Sequence, residues 1–157
     1  MAKELLTDGQ AVVGALRVKH GLALQELTES FAASAFTDDN GVNGHAHFSG
    51  SLPVGAIVLG GKVVVTRGFT GDTSAVLIVG DGAGSPDNDR FNTGTIDIFA
   101  AAAAGIDLGL PSGAVYQAVA CTPKLMVVSA TDFSNVLAAS PNGLITVSLY
   151  YINTTAA

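Results

Sequence analysis

Gly143-Leu144-Ile145-Thr146-Val147-Ser148-Leu149-Tyr150-Tyr151-Ile152-Asn153 sets how the rest of the chain is read. In it Ile145, Val147, Leu149 and Tyr151 alternate with Leu144, Thr146, Ser148 and Tyr150. Successive side chains of an extended chain point to opposite faces, so a period of two predicts a β-strand with one buried face. Working back from it, Lys62-Val63-Val64-Val65-Thr66-Arg67 and Ser74-Ala75-Val76-Leu77-Ile78-Val79 are β-branched runs. Gly60-Gly61 and Gly80-Asp81-Gly82 bound them as strand-end punctuation. Residues 56–59, 95–98, 114–120 and 125–129 are further short strand candidates flanked by Gly, Pro, Asn or Asp. Short strands separated by turns predict an all-β sandwich or barrel.

The first fifty residues are less regular. Leu16, Val18, Leu22 and Leu24 keep a two-residue alternation that breaks at His20-Gly21, as in a hairpin. Residues 24–31 also fit a helical spacing, but Gly9, Gly14 and Gly21 oppose a long helix across the region. The turn-rich Thr37-Asp38-Asp39-Asn40-Gly41 then divides the chain into an N-terminal arm or hairpin, residues 1–36, and a sandwich domain, residues 37–157. Phe99 followed by Ala100 to Ala104 and closed by Gly105 is the short helix expected from the sequence.

A length of 157 residues suits one domain with an arm. Hydrophobic residues make up 48% of the chain and charged ones 13%, so a core forms readily, and the surface carries far fewer charges than an isolated domain keeps. Partners are therefore expected to cover much of it. The net charge of −6 repels phosphate backbones, which disfavours nucleic-acid binding. Cys121 is the single cysteine, which excludes an internal disulfide and is expected to behave as a small buried hydrophobe. The uncharged stretches after Asp132 and from Leu108 to Pro123 are broken by Pro, Gly and polar residues, so no membrane span is expected. The N-terminus lacks the unbroken apolar run of a signal peptide, and secretion is not expected either.

Motifs that would carry chemistry are weak. Gly80-Asp81-Gly82-Ala83-Gly84 follows a strand but lacks the third glycine and the helix start of a dinucleotide fingerprint. Gly61-Lys62 lacks both the first glycine and the Ser or Thr of a phosphate-binding loop. Asp81, Asp87 and Asp89 offer oxygens to calcium, yet loop acids more often hydrogen-bond their own backbone, and Arg90 is placed to pair with one of them. His45-Ala46-His47, if extended, puts both imidazoles on one face, where copies around a three-fold axis would multiply the ligands for a transition metal. Two core-edge histidines are the simpler reading. No Gly-x-Ser-x-Gly elbow and no carboxylate pair stand out, so neither an enzymatic activity nor a cofactor is expected.

Leu52-Pro53-Val54-Gly55-Ala56-Ile57-Val58, Gly61-Lys62-Val63-Val64-Val65-Thr66-Arg67-Gly68-Phe69, Thr73-Ser74-Ala75-Val76-Leu77-Ile78-Val79-Gly80-Asp81 and Asp87-Asn88-Asp89-Arg90-Phe91 form a sequence cadence. With the terminal strand, it resembles the capsid decoration, or cement, proteins of tailed bacteriophages. The likeness covers about residues 52–152, and Gly82-Ala83-Gly84-Ser85 departs from the pattern. The resemblance implies a jelly-roll-like β-sandwich, a homotrimer, and a position on the outside of an icosahedral head. There it would bind the major capsid protein after synthesis in the bacterial cytoplasm.

On this reading the apolar arm residues Leu5, Leu6, Val12, Val13, Leu16, Leu22 and Leu24 are the candidate capsid or subunit contacts. Deleting residues 2–36 is expected to weaken shell binding more than it disturbs the fold. The rival is a head-fibre, tail or receptor-binding virion component on the same fold. The absence of Trp, with 3 Tyr and 7 Phe, leaves few platforms for stacking sugar rings. A metal-dependent jelly-roll enzyme using His45 and His47 ranks third.

Overall fold

The computed structural model describes residues 23–82, 87–111, 113–139 and 143–154. Ten strands lie in two antiparallel sheets: β1 (Gln25–Ala32), β2 (Thr37–Asp38), β3 (Asn43–His47), β4 (Ala56–Arg67), β5 (Ala75–Asp81), β6 (Ile96–Asp97), β7 (Ala102–Asp107), β8 (Val115–Tyr116), β9 (Pro123–Ser129) and β10 (Leu144–Asn153). Sheet 1 runs β1-β10-β4-β7, with β8 also paired to β4, and sheet 2 runs β2-β3-β9-β5-β6. The protein is an all-β sandwich. Setting aside β2, a two-residue strand at the edge of sheet 2, and β8, which lies off the main path of sheet 1, the eight others nest by sequence as 1-8-3-6 in one sheet and 2-7-4-5 in the other. First and last strands are therefore neighbours.

The terminal strand shows why the sandwich closes. Ile145, Val147 and Leu149 are fully buried, and Tyr151 packs on the core beside them. In the other sheet, Leu125 and Val127 of β9 and Ala75, Leu77 and Val79 of β5 do the same. The two inner faces meet as one apolar layer, each buried Leu or Val contributing roughly 1.5–3 kcal/mol relative to exposure. A chain of phenylalanines runs through the core: Phe48 meets Phe31 edge-on at 5.2 Å, Phe31 meets Phe36 at 6.2 Å, and Phe36 meets Phe69 at 5.6 Å and Phe133 at 6.2 Å.

Several expectations need correction. Gly60-Gly61 does not end a strand: β4 runs through it for 12 residues. A Cβ on Gly61 would lie 2.5 Å from Leu108 Cδ1 and 2.6 Å from the Ser148 carbonyl, so this glycine serves close packing rather than a turn. The expected helix over Ala100 to Ala104 does not form: from Ala102 onward the chain is the strand β7, paired Val65↔Ala102 and Val63↔Ile106. Alanine's helix propensity is worth tenths of a kcal/mol per residue, less than the ladder bonds that β4 offers. The candidate strand over 114–120 shrinks to Val115–Tyr116.

Residues 24–31, which also fit a helical spacing, hold most of β1, paired in continuous register from Gln25↔Tyr151 to Ala32↔Leu144. Residues 1–22, which hold all of the expected Leu16 to Leu24 hairpin but its last two residues, lie outside the described residues. Phe31, Ala33 and Phe36 are core residues, so deleting 2–36 would remove core rather than arm alone.

One helix was not anticipated, α1 (Phe133–Ala139). Asp132 caps it, accepting the Ser134 N–H at 2.9 Å. Asp72 holds the approach, accepting Thr131 N–H at 2.7 Å, Thr131 Oγ1–H at 2.9 Å and Asp132 N–H at 3.1 Å. These bonds, that from the Thr131 backbone first, draw the Asp72 carboxyl down to a pKa of about 2. Phe133 then drops onto β3 over Gly44, where a Cβ would run into its ring.

Candidate functional site

The outward side chains of sheet 2 follow from its register. Val76 pairs with Val128, and Ile78 pairs with Met126. These four are only half-buried, while their strand neighbours Leu77, Val79, Leu125 and Val127 are fully buried. The two strands are thus apolar on both faces, and the outer quartet has no layer of this chain's described residues over it. Across β9 the same rows continue to Asn43 opposite Val128, His45 opposite Met126 and His47 opposite Lys124. An apolar patch with an imidazole and ammonium rim results.

The histidine expectation holds in its geometry. Ala46 points inward, 7% exposed, and His45 and His47 share the outer face with ring centroids 5.6 Å apart and planes at 79°. His45 Nδ1 lies 2.7 Å from Asp39 Oδ1. Asp39 is set there by the β2–β3 turn, where its N–H donates to the Asn43 carbonyl at 3.0 Å and Asn40 takes a φ of 64°. Desolvation, followed by the nearby His45 and Lys124, lowers the His47 pKa. No group of three or more His, Cys, Asp or Glu side chains gathers as a metal cage among the described residues.

The outer face of sheet 1 is different. Thr28 shares a 2.8 Å hydroxyl hydrogen bond with Ser148, and Ser30 shares another of 2.8 Å with Thr146. Toward the opposite end the rows turn apolar: Ile57 pairs with Ile152 on one side and Tyr116 on the other. Extending the β1 register by one residue brings Leu24 opposite Ile152. Leu24 is 64% exposed and Tyr116 53%. Leu59, the extra residue of the bulge where Tyr150↔Gly60 passes to Tyr151↔Val58, is 48% exposed beside them. Of the arm residues expected to make contacts, Leu24 stands in this row, and Leu5, Leu6, Val12, Val13, Leu16 and Leu22 lie outside the described residues.

The acidic loop behaves as a turn. Asp81 Oδ1 accepts the Asp87 N–H at 3.1 Å, its own N–H donates to the Asp87 carbonyl at 3.0 Å, and Arg90 Nε lies 3.7 Å from Asp81 Oδ2. Arg90 also donates to the Tyr116 carbonyl at 3.0 Å. A cleft of about 320 Å³ opens beside it, lined by Asp87, Asp89, Arg90, Pro111, Ala114, Val115 and Tyr116. That is at the small end for a ligand site.

Cys121 is buried, and burial, with Asp81 second, pushes its thiol up to about 11. Such a thiol is not nucleophilic at neutral pH. What sequence reasoning missed was the quartet on sheet 2. Its signal was present in the unbroken apolar runs of β5 and β9, which reveal strands apolar on both sides.

These features define a two-sheet antiparallel sandwich with an apolar region on the outer face of each sheet. No protein-family model matches the chain, and no curated protein matches it. A solved structure to which it is similar is described as the acidic stable capsid structure of Helicobacter pylori bacteriophage KHP30. The TM-score is 0.47 at 15% identity, over 85% of this chain and 95% of that one. A likeness at that level lends no support to a function. No helix among the described residues is long and apolar enough to cross a membrane.

Proposed function

We propose that this chain is a virion structural protein of a tailed bacteriophage, a decoration or cement protein that binds the outer surface of the head. The observation that carries the reading is the nested strand order, 1-8-3-6 facing 2-7-4-5, which is jelly-roll-like. That architecture recurs in viral shells, although architecture alone does not fix function. The cadence of residues 52–91 and the half-exposed apolar outer faces support it. A domain with 13% charged residues gains by covering such faces.

The two faces take different partners in this proposal. Leu24 joins the row of Ile152, Ile57 and Tyr116 and follows in sequence the segment that holds Leu5, Leu6, Val12, Val13, Leu16 and Leu22; in this proposal the row and that segment meet the major capsid protein. The quartet Val76, Val128, Ile78 and Met126 meets neighbouring copies in a homotrimer, whose cyclic symmetry suits three-fold positions of a shell. The mechanism is passive. A protein that binds only the assembled shell stabilises it by RT ln(1 + [L]/Kd), roughly 3–4 kcal/mol per site at 100 to 1,000 times Kd. Summed over many sites, this opposes the outward pressure of packaged DNA without a cofactor or a catalytic step.

Mixing the purified protein with undecorated heads and sedimenting them tests the proposal. Saturable co-pelleting with a raised temperature of particle rupture is expected. Protein that stays in the supernatant at all concentrations, or pellets without changing rupture, contradicts it.

A further inference from the structure

We propose that His45 and His47 form a binding site for one divalent transition-metal ion of the imidazole-preferring class, zinc, copper or nickel, with Asp39 as the residue that positions His45. This inference is independent of the virion reading.

Three observations carry it. First, the imidazoles leave the same face of β3 two residues apart, on either side of the inward Ala46, with centroids at 5.6 Å. Two imidazoles sharing a tetrahedral ion, with metal–nitrogen distances of about 2.0–2.1 Å, have ring centroids about 5 Å apart. Small side-chain rotations close the difference, and His47 is exposed and free to make them.

Second, the Asp39 carboxylate lies 2.7 Å from His45 Nδ1. Accepting that N–H fixes the tautomer that leaves the Nε2 lone pair for a metal, the carboxylate–histidine–metal relation found around bound zinc. The carboxylate is held by the β2–β3 turn rather than by the metal, so this half of the site exists before the ion arrives.

Third, the glycine at 82 leaves the His47 ring its place, since a Cβ there would come within 3.0 Å of His47 Cδ2 and 3.1 Å of Nε2. Lys124, opposite His47 in the register, acts against a cation. It has a long flexible stem that can carry its charge out into solvent. Two protein nitrogens leave the remaining coordination positions open to water.

Calorimetric titration of the full chain with zinc chloride is the test, alongside the electron paramagnetic resonance spectrum of the copper(II) form. Saturation at one ion per chain is expected, with a copper spectrum showing coupling to imidazole nitrogen. His45→Ala and His47→Ala each weaken binding by at least about tenfold. Asp39→Asn weakens it roughly 10- to 100-fold with an unchanged melting temperature, and Lys124→Met tightens it several-fold. No saturable binding, or binding that survives both His45→Ala and His47→Ala, overturns the proposal. So does an Asp39→Asn variant with wild-type affinity and copper spectrum.

Discussion

The outer faces of the two sheets are both built from antiparallel strands, yet they solve different problems. On sheet 1 the outward rows through Thr28, Ser148, Ser30 and Thr146 are stitched by hydroxyl pairs, and the most exposed large apolar residues, Leu24, Leu59 and Tyr116, gather at the end where Ile57 and Ile152 pair. On sheet 2 the middle of the face is apolar, and the polar groups His45, His47 and Lys124 lie toward its rim. Sheet 1 therefore satisfies water along most of its length and offers one edge. Sheet 2 offers its centre. The scarcity of charge in the sequence is thus not spread evenly over the surface, and the two apolar regions suit two different partners.

The largest effect that sharpens this contrast comes from crossing from the inner to the outer side of the sheets. Leu149→Ala, in the buried layer, is expected to cost about 2–5 kcal/mol in denaturant unfolding, whereas Ile78→Ala on the outer face of sheet 2 costs under about 1 kcal/mol. Equal costs would mean that Ile78 is as enclosed as Leu149.

Next in size are the charge insertions. Tyr116→Asp is expected to weaken head binding about 100-fold, close to 2.7 kcal/mol, while leaving the trimer intact in sedimentation equilibrium. Met126→Asp does the reverse, lowering the sedimenting mass of the free protein. If either substitution acts on both readouts alike, the division of labour between the faces is wrong.

The fold was legible where one face of a strand is buried and the other wet. Residues 143–153 show this in their alternation, and β10 spans Leu144–Asn153. It was less legible where a residue's role depends on a distant partner. Gly61 reads as punctuation locally, and only the approach of Leu108 and Ser148 shows it to be a packing residue. The run Ala100 to Ala104 reads as helix until β4 is available to pair with it. Helix α1 escaped because its start depends on Asp72, which lies 59 residues away from Thr131 in sequence.

For the candidate site, the shared face of His45 and His47 followed from the period of two, while Asp39 beside His45 required the turn at Asn40 to be seen. The apolar quartet on sheet 2 needed the register between β5 and β9 before its four members came together.

Two smaller effects probe how each region is held. Asp72→Asn removes the carboxylate that three groups at the start of α1 donate to, and the thermal midpoint at neutral pH is expected to fall by a few degrees. Its carboxyl in the folded protein, drawn down to about 2, titrates below an ordinary aspartate. The stabilisation is therefore present above about pH 4 and is lost as pH falls toward 2, and the variant's stability should change less with pH over that window. A wild-type pH profile in the variant would place the acid sensitivity elsewhere. Thr28→Val breaks one hydroxyl pair on sheet 1 and is expected to cost less than about 1 kcal/mol in denaturant unfolding, with head binding unchanged.

Hydroxyl-radical footprinting of the protein, free and on heads, tests the central claim most directly, because it reads both faces in one sample. The account predicts that Met126 is already protected in the free trimer and that Tyr116 becomes protected only when heads are present. Tyr116 oxidised equally with and without heads, together with Met126 fully reactive in the free protein, would contradict it.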